Sequence, residues 1–211
     1  MKNLGEIGCF LDLEVDKLEN GYVISQRGYA RSLLERFNMG ESKPMTTPME
    51  PNLKMKKDQG KELKDVKLFR QMVGSLIYLT ITRPEIAYSV GIVSQFMQCP
   101  TNVHLDAAKR ILRYVKGSIG HRLWNKKCDN VLLNGFVVAD WMGDANDRHS
   151  TSGYCLTYSA VISWCSKKQD VVALSSTKAE YIAATMAAQE CTWLRRLIGD
   201  ILEKVDYVVK L

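Results

Sequence analysis

Three of the chain's five prolines fall within eight residues, at Pro44, Pro48 and Pro51. Proline fixes φ, has no amide hydrogen to donate, and drives the residue before it out of the helical region. The stretch Lys43–Pro51 is therefore neither helix nor central strand and must run extended. The residues on its two sides form separate pieces of secondary structure joined by this strap.

Before the strap, residues 7–25 read as a hairpin. Phe10, Leu11, Leu13 and Val15 make one apolar strand and Tyr22, Val23 and Ile24 the next, with Glu19-Asn20-Gly21 as the turn. Gly28 to Met39 is predicted helical, because Ala30, Leu33, Leu34 and Phe37 recur at three- and four-residue spacing. After the strap, the Lys-rich stretch Lys54–Lys67 reads as solvated loop. A second helix is predicted over Leu68–Tyr78, and Pro84 suits the first turn of a third. A fourth runs from about Val103 to Lys116, capped by Thr101 or Asn102 and ended by Gly117. It turns Leu105, Ala108, Leu112 and Val115 inward and lines Lys109, Arg113 and Lys116 along another face.

The pattern changes after Lys127. Residues 131–139 form a strongly apolar strand, and Gly153–Tyr158 and Ala160–Cys165 read as two more. The longest helix comes next, about Thr177 to Glu203, with Ile182, Met186, Trp193, Leu197 and Ile201 marking its apolar side. Val205 to Leu211 opens like another strand. Charge divides at the same place. Residues 1–127 carry 21 basic and 13 acidic side chains, and the rest carry 8 and 10. A basic front favours a polyanion, and a slightly acidic back offers carboxylates to cations. The expected architecture is α+β in two parts, 1–127 and 128–211.

Several classes are excluded. With 46% hydrophobic and 25% charged residues, the chain is not a disordered tail, a collagen-like fibre or a disulfide scaffold. No apolar run approaches the ~18 residues of a membrane span. Met1–Glu6 lacks the apolar core of a secretory signal. The six cysteines stand singly with no CxxC pair, which argues for reduced thiols and against a zinc ribbon. An intracellular location, in cytoplasm or nucleus, is the corresponding expectation.

The motifs carry a resemblance. Ala139-Asp140-Trp141-Met142-Gly143-Asp144, Ser150-Thr151-Ser152-Gly153-Tyr154, Ile162-Ser163-Trp164 and Ser176-Thr177-Lys178-Ala179-Glu180-Tyr181 resemble the ribonuclease H domain of copia-type LTR retrotransposon Pol polyproteins. Thr47-Pro48-Met49, Val73-Gly74-Ser75-Leu76-Ile77-Tyr78-Leu79, Thr82-Arg83-Pro84-Glu85 and Ala108-Lys109-Arg110-Ile111-Leu112-Arg113-Tyr114 resemble the segment between polymerase and ribonuclease H. The resemblance implies a reverse-transcriptase connection region, then a ribonuclease H-like domain of antiparallel strands and one long helix. It also implies an ancestry in processing RNA–DNA hybrids, with two Mg²⁺ ions held by carboxylates.

The resemblance places catalytic and metal-binding roles on Glu180 and, weakly, on Asp140. Glu180 sits where the family has a glutamate early in the long helix, and Thr177-x-x-Glu180 equally reads as a capping box. The family's first acid falls on Val138 here. Asp140 shares its strand face but lies about 6.6 Å along. Its other reading is a loop-edge acid at the turn before Trp141, and Asp144 and Asp147 read as solvated turn acids. The family's further carboxylates lie beyond Leu211, and the paired polymerase aspartates lie upstream of Met1. The expectation is thus an incomplete Mg²⁺ site and a Pol fragment without catalysis.

Lys109, Arg110, Arg113 and Lys116, with Lys167 and Lys168, are the candidate nucleic-acid contacts, and solvated basic faces are the alternative. Arg122, Lys126 and Lys127 extend that basic run, and Trp124 could stack on a base. Two further readings stand beside the inactive fragment. One is a ribonuclease H completed by a partner chain. The other is a secreted effector acting on host cells, since Arg110-Ile111-Leu112-Arg113 also matches the Arg-x-Leu-Arg motif of oomycete effectors. Loss of later strands is expected to leave a sheet edge open to self-association.

Overall fold

In the computed structural model the described residues are 8–127, 132–201 and 209. The chain divides into two compact units, 1–126 and 127–211. Helices and antiparallel sheets together make it α+β.

The first unit opens with an antiparallel sheet in the order β1 (Cys9–Phe10), β2 (Leu13–Leu18), β3 (Gly21–Ser25), β4 (Leu123–Lys126). The apolar run Phe10–Val15 is not one strand. Leu11 and Asp12 take φ of 47° and 59°, and this turn folds β1 back on β2. Glu19 and Asn20 form the two-residue turn between β2 and β3. Gly21 comes next at φ 145°, and a Cβ there would lie 2.1 Å from the Asn125 carbonyl oxygen. Glycine is thus required where β4 closes against β3. The sequence pattern did not reveal β4, which is only four residues long and about a hundred residues from the strand it pairs with.

Among the described residues four helices pack the core of this unit: α1 (Arg27–Arg36), α2 (Val66–Leu79), α3 (Pro84–Ser94) and α4 (Asn102–Gly117). Leu33, Phe69, Met72, Val73, Leu76, Leu79, Ile86, Val93, Ile111 and Leu112 are all buried there. Full burial of a side chain such as Phe69 contributes about 1.5–3 kcal/mol. The inward face expected for α4 is partly revised: Ala108, Leu112 and Val115 are buried, Ile111 joins them, and Leu105 is only partly covered. Lys54–Lys67 is not simply solvated. Met55 is buried, the Leu63 amide donates to the Pro100 carbonyl, and the Asp65 carboxylate caps α2 through the Leu68 amide at 2.9 Å.

Among the described residues the second unit is a three-stranded antiparallel sheet, β5 (Leu133–Asp140), β6 (Thr151–Tyr158) and β7 (Ala160–Lys168), with the long helix α5 (Ser176–Ile201). The expected apolar side of α5 is corrected. Ala179, Ala183, Ala187, Cys191, Leu194 and Ile198 are its buried residues, while Trp193, Leu197 and Ile201 are exposed. Small side chains recurring at every fourth position let the helix lie close to the sheet, so bulk was a misleading guide to the buried side. Of the expected strand 205–211, only Val209 is among the described residues, and it packs near Leu133, Leu156, Cys191 and Leu194. Among the described residues no helix is long and apolar enough to cross a membrane, and Cys9, Cys99, Cys155, Cys165 and Cys191 are free thiols.

Candidate functional site

Strand alternation sets the chemistry of β5. Leu133 is buried and Gly135, Val137 and Ala139 half-buried, whereas Asn134, Phe136, Val138 and Asp140 alternate onto an exposed face. Register continues that face across the sheet in rows: Phe136–Cys155–Trp164, Val138–Gly153–Ser166, and Asp140–Thr151–Lys168. Val138 is 66% exposed, and its Cγ1 lies 3.0 Å from where a Cβ on Gly153 would be. The position where the resemblance expects the first acid therefore carries an apolar side chain leaning on a glycine.

Asp140 is exposed and turned toward the adjoining turn. A Cβ on Gly143 would meet Asp140 Oδ2 at 1.8 Å, so the carboxylate fills the space that the glycine leaves. Glu180 is exposed on α5, and among the described residues its carboxylate takes part in no hydrogen bond or ion pair. The Thr177–Glu180 capping box is not the helix start. Ser175 caps α5, its hydroxyl accepting from the Lys178 amide at 3.2 Å, because the helix begins at Ser176, earlier than the box requires. Among the described residues no group of three or more His, Cys, Asp or Glu side chains converges on a cation position. Mg²⁺ demands near-octahedral oxygen ligands at about 2.1 Å. A lone exposed glutamate, an aspartate turned to a glycine and a valine do not supply them.

The turn after β5 is built instead around a lysine. Lys168 Nζ lies 2.6 Å from Asp144 Oδ2 and 2.6 Å from Asp147 Oδ2. Asp144 is thus not a solvated turn acid. Burial pushes its carboxyl pKa up, but hydrogen bonds from Lys168 and from the Asn146 amide bring it below the usual value. Asp147 behaves alike, with burial outweighed by Lys168 and the His149 amide. Lys168 is accordingly occupied within the chain, while Lys167 is exposed with a 3.9 Å pair to Asp170.

Sequence reasoning missed Gln169, which ties this turn to the helix. Its buried Nε2 donates to Ser152 Oγ and to the Ala179 carbonyl, both at 2.9 Å. Its backbone amide donates to the Ser150 carbonyl at 2.8 Å, and its own carbonyl lies 2.6 Å from His149 Nδ1. Trp141 Nε1 donates to the Ala173 carbonyl at 3.0 Å. The available signal was an acid-rich turn facing a strand that ends in Lys167-Lys168 and is followed by Gln169.

In the first unit, α4 holds the proline strap. Arg110 Nη1 donates to Glu50 Oε1 at 2.8 Å and Nη2 to Thr47 Oγ1 at 3.0 Å. Arg113 Nε reaches the Lys43 carbonyl at 2.6 Å, Lys116 Nζ the Ser42 carbonyl at 2.8 Å, and the Met45 amide donates to the Arg113 carbonyl. Two of the four candidate phosphate-binding side chains on this helix, Arg110 and Arg113, are therefore directed at the strap, and Lys116 reaches the residue just before it. Lys109 is half-buried, and Arg122, Trp124, Lys126 and Lys127 are exposed on and beside β4. A separate open cavity of about 520 Å³ lies among Tyr29, Arg36, Gln71, Gly74 and Ser75, and none of the candidate residues lines it.

No protein-family model matches the chain, and no solved structure matches it. Curated relatives do. The retrovirus-related Pol polyprotein from transposon RE1 of Arabidopsis thaliana is 43% identical over 95% of this chain. This chain spans only 14% of that polyprotein's length. An uncharacterized mitochondrial protein of Arabidopsis thaliana is 41% identical over 92% of this chain and 80% of its own length. The secreted RxLR effector protein 161 of Plasmopara viticola is 44% identical over 58% of this chain and 87% of its own length.

Proposed function

The chain belongs to the family of retrovirus-related Pol polyproteins of copia-type transposons, and from that premise we propose that it is a non-catalytic nucleic-acid-binding remnant. In this reading residues 1–127 derive from the reverse-transcriptase connection region and residues 128–211 from the ribonuclease H domain. The observation that carries it is Val138, an apolar side chain packed on Gly153 at the position of the family's first acid. Two Mg²⁺ ions would supply an activated water and a stabilised leaving oxygen, but the acids present are not arranged to bind them. Asp144 and Asp147 already share the Lys168 ammonium.

Affinity for an RNA–DNA hybrid rests on charge that the fold leaves free. Lys109, Arg122, Lys126 and Lys127 are the donors proposed for phosphates, with Trp124 offering a ring for stacking. Fluorescence anisotropy with a labelled hybrid tests this. Binding that weakens steeply as salt rises supports the reading, and no binding at low salt, or salt-independent binding, overturns it. An effector role is the second reading, favoured by kinship with a secreted effector. It has less support, because both arginines of Arg110-Ile111-Leu112-Arg113 bind the strap.

A further inference from the structure

We propose that Thr47 is a phosphorylation site for a proline-directed serine/threonine kinase, and that Arg110 receives the phosphate. Thr47-Pro48 is the one Ser/Thr-Pro dipeptide in the sequence. Thr47 is exposed and lies in the strap, outside any helix or strand. Proline at the next position biases its backbone toward extended conformations. Thr46 beside it is also exposed but precedes Thr47 rather than a proline, which makes it an internal control.

The receiving group is in place before modification. Arg110 Nη2 already donates to Thr47 Oγ1 at 3.0 Å. Arg110 Nε is buried and has no hydrogen-bond partner among the described residues. A guanidinium with a spare buried donor beside an exposed hydroxyl is short of an acceptor, and a phosphate has three acceptor oxygens. In the transfer, Thr47 Oγ1 bonds to the γ-phosphorus of a nucleoside triphosphate. The bond from that phosphorus to the bridging oxygen breaks, the nucleoside diphosphate leaves, and the hydroxyl proton passes to the kinase's base. The new dianion repels Glu50, which now shares Arg110 at 2.8 Å, and draws the guanidinium to itself. The modification thereby tightens the strap on α4.

The test uses the full chain, a purified proline-directed kinase and ATP, with Thr47→Val as the blocked control. Mass spectrometry is expected to place one phosphoryl group on Thr47 and none on Thr46. Hydrogen exchange at the Met45 amide should then slow about tenfold in the modified wild type, and not in modified Arg110→Gln. Should Arg110→Gln unfold, ³¹P titration of the modified wild type decides, since a bound guanidinium holds the second phosphate pKa below its usual value of about 6. Transfer to another residue, no transfer, unchanged Met45 exchange, or a phosphate titrating as in a free peptide overturns the proposal.

Discussion

Lys168 Nζ stands 2.6 Å from Asp144 Oδ2, and the Asp144 side chain it reaches is only 8% exposed. The pair joins the end of β7 to the turn after β5, and Asp147 completes it from the other side. Replacing Lys168 by Met leaves a nearly buried carboxylate uncompensated. Lys168→Met should lower the unfolding free energy by about 2–3 kcal/mol in urea denaturation, below the range for fully buried pairs because Asp147 is partly solvated. A loss under about 0.5 kcal/mol would mean that the pair behaves like an exposed surface bridge.

The same cluster fixes a pH window. Asp144 and Asp147 titrate below the usual 3.8 in the folded chain despite burial, so their contribution is complete above 3.8 and is lost as pH falls through the folded values. Lys168 titrates above its usual 10.5, because its two carboxylate partners outweigh burial. Its contribution is therefore complete below 10.5 and is lost as pH rises through the folded value. Acid unfolding of Lys168→Met, monitored by circular dichroism, should begin at higher pH than in the wild type; coincident acid transitions would refute the linkage.

His104 provides a second titration of different origin. It is fully buried, stacked on Phe96 with ring centroids 3.8 Å apart, and its Nδ1 accepts from the Thr101 amide at 3.0 Å. Nε2, 3.1 Å from the Lys56 carbonyl, then carries the proton, so the ring is neutral. Burial lowers its pKa from 6.5, although the Lys56 carbonyl opposes this. The unfolded chain binds the proton more readily, so stability should decline as pH falls below 6.5 and level off below the folded value. An NMR titration of the His104 ring should give a midpoint below 6.5. A midpoint at or above 6.5 would contradict the buried geometry.

Gln169 should be sensitive to truncation. Its Nε2 serves the buried Ser152 hydroxyl and the Ala179 carbonyl at once. Gln169→Ala removes both bonds and is expected to cost about 2 kcal/mol in thermal or chemical unfolding. Hydrogen exchange should also quicken in the first turns of α5 relative to its C-terminal half. Uniform exchange along α5 in the variant would deny Gln169 its anchoring role.

Local rules read much of this fold from sequence. Apolar spacing located α1, α3 and α4 because their buried faces carry large side chains. It misplaced the buried side of α5, where Ala179, Ala183 and Ala187 contact the sheet and Trp193 does not. It missed β4, whose pairing with Gly21–Ile24 is long-range and leaves no local pattern. Strand alternation did place Val138 and Asp140 on one face of β5. The Lys168 partner of Asp144 and the strap partners of Arg110 and Arg113 were not legible, because they lie between 24 and 70 residues away in the chain.

The proposal that this fold keeps the family's framework without its hydrolytic centre meets its plainest test in one assay. The full chain is incubated with an RNA–DNA hybrid and Mg²⁺ beside Glu180→Gln, and RNA length is read on a denaturing gel. Intact RNA in both lanes is the expected result. Mg²⁺-dependent cleavage by the wild type that disappears in Glu180→Gln would overturn the proposal.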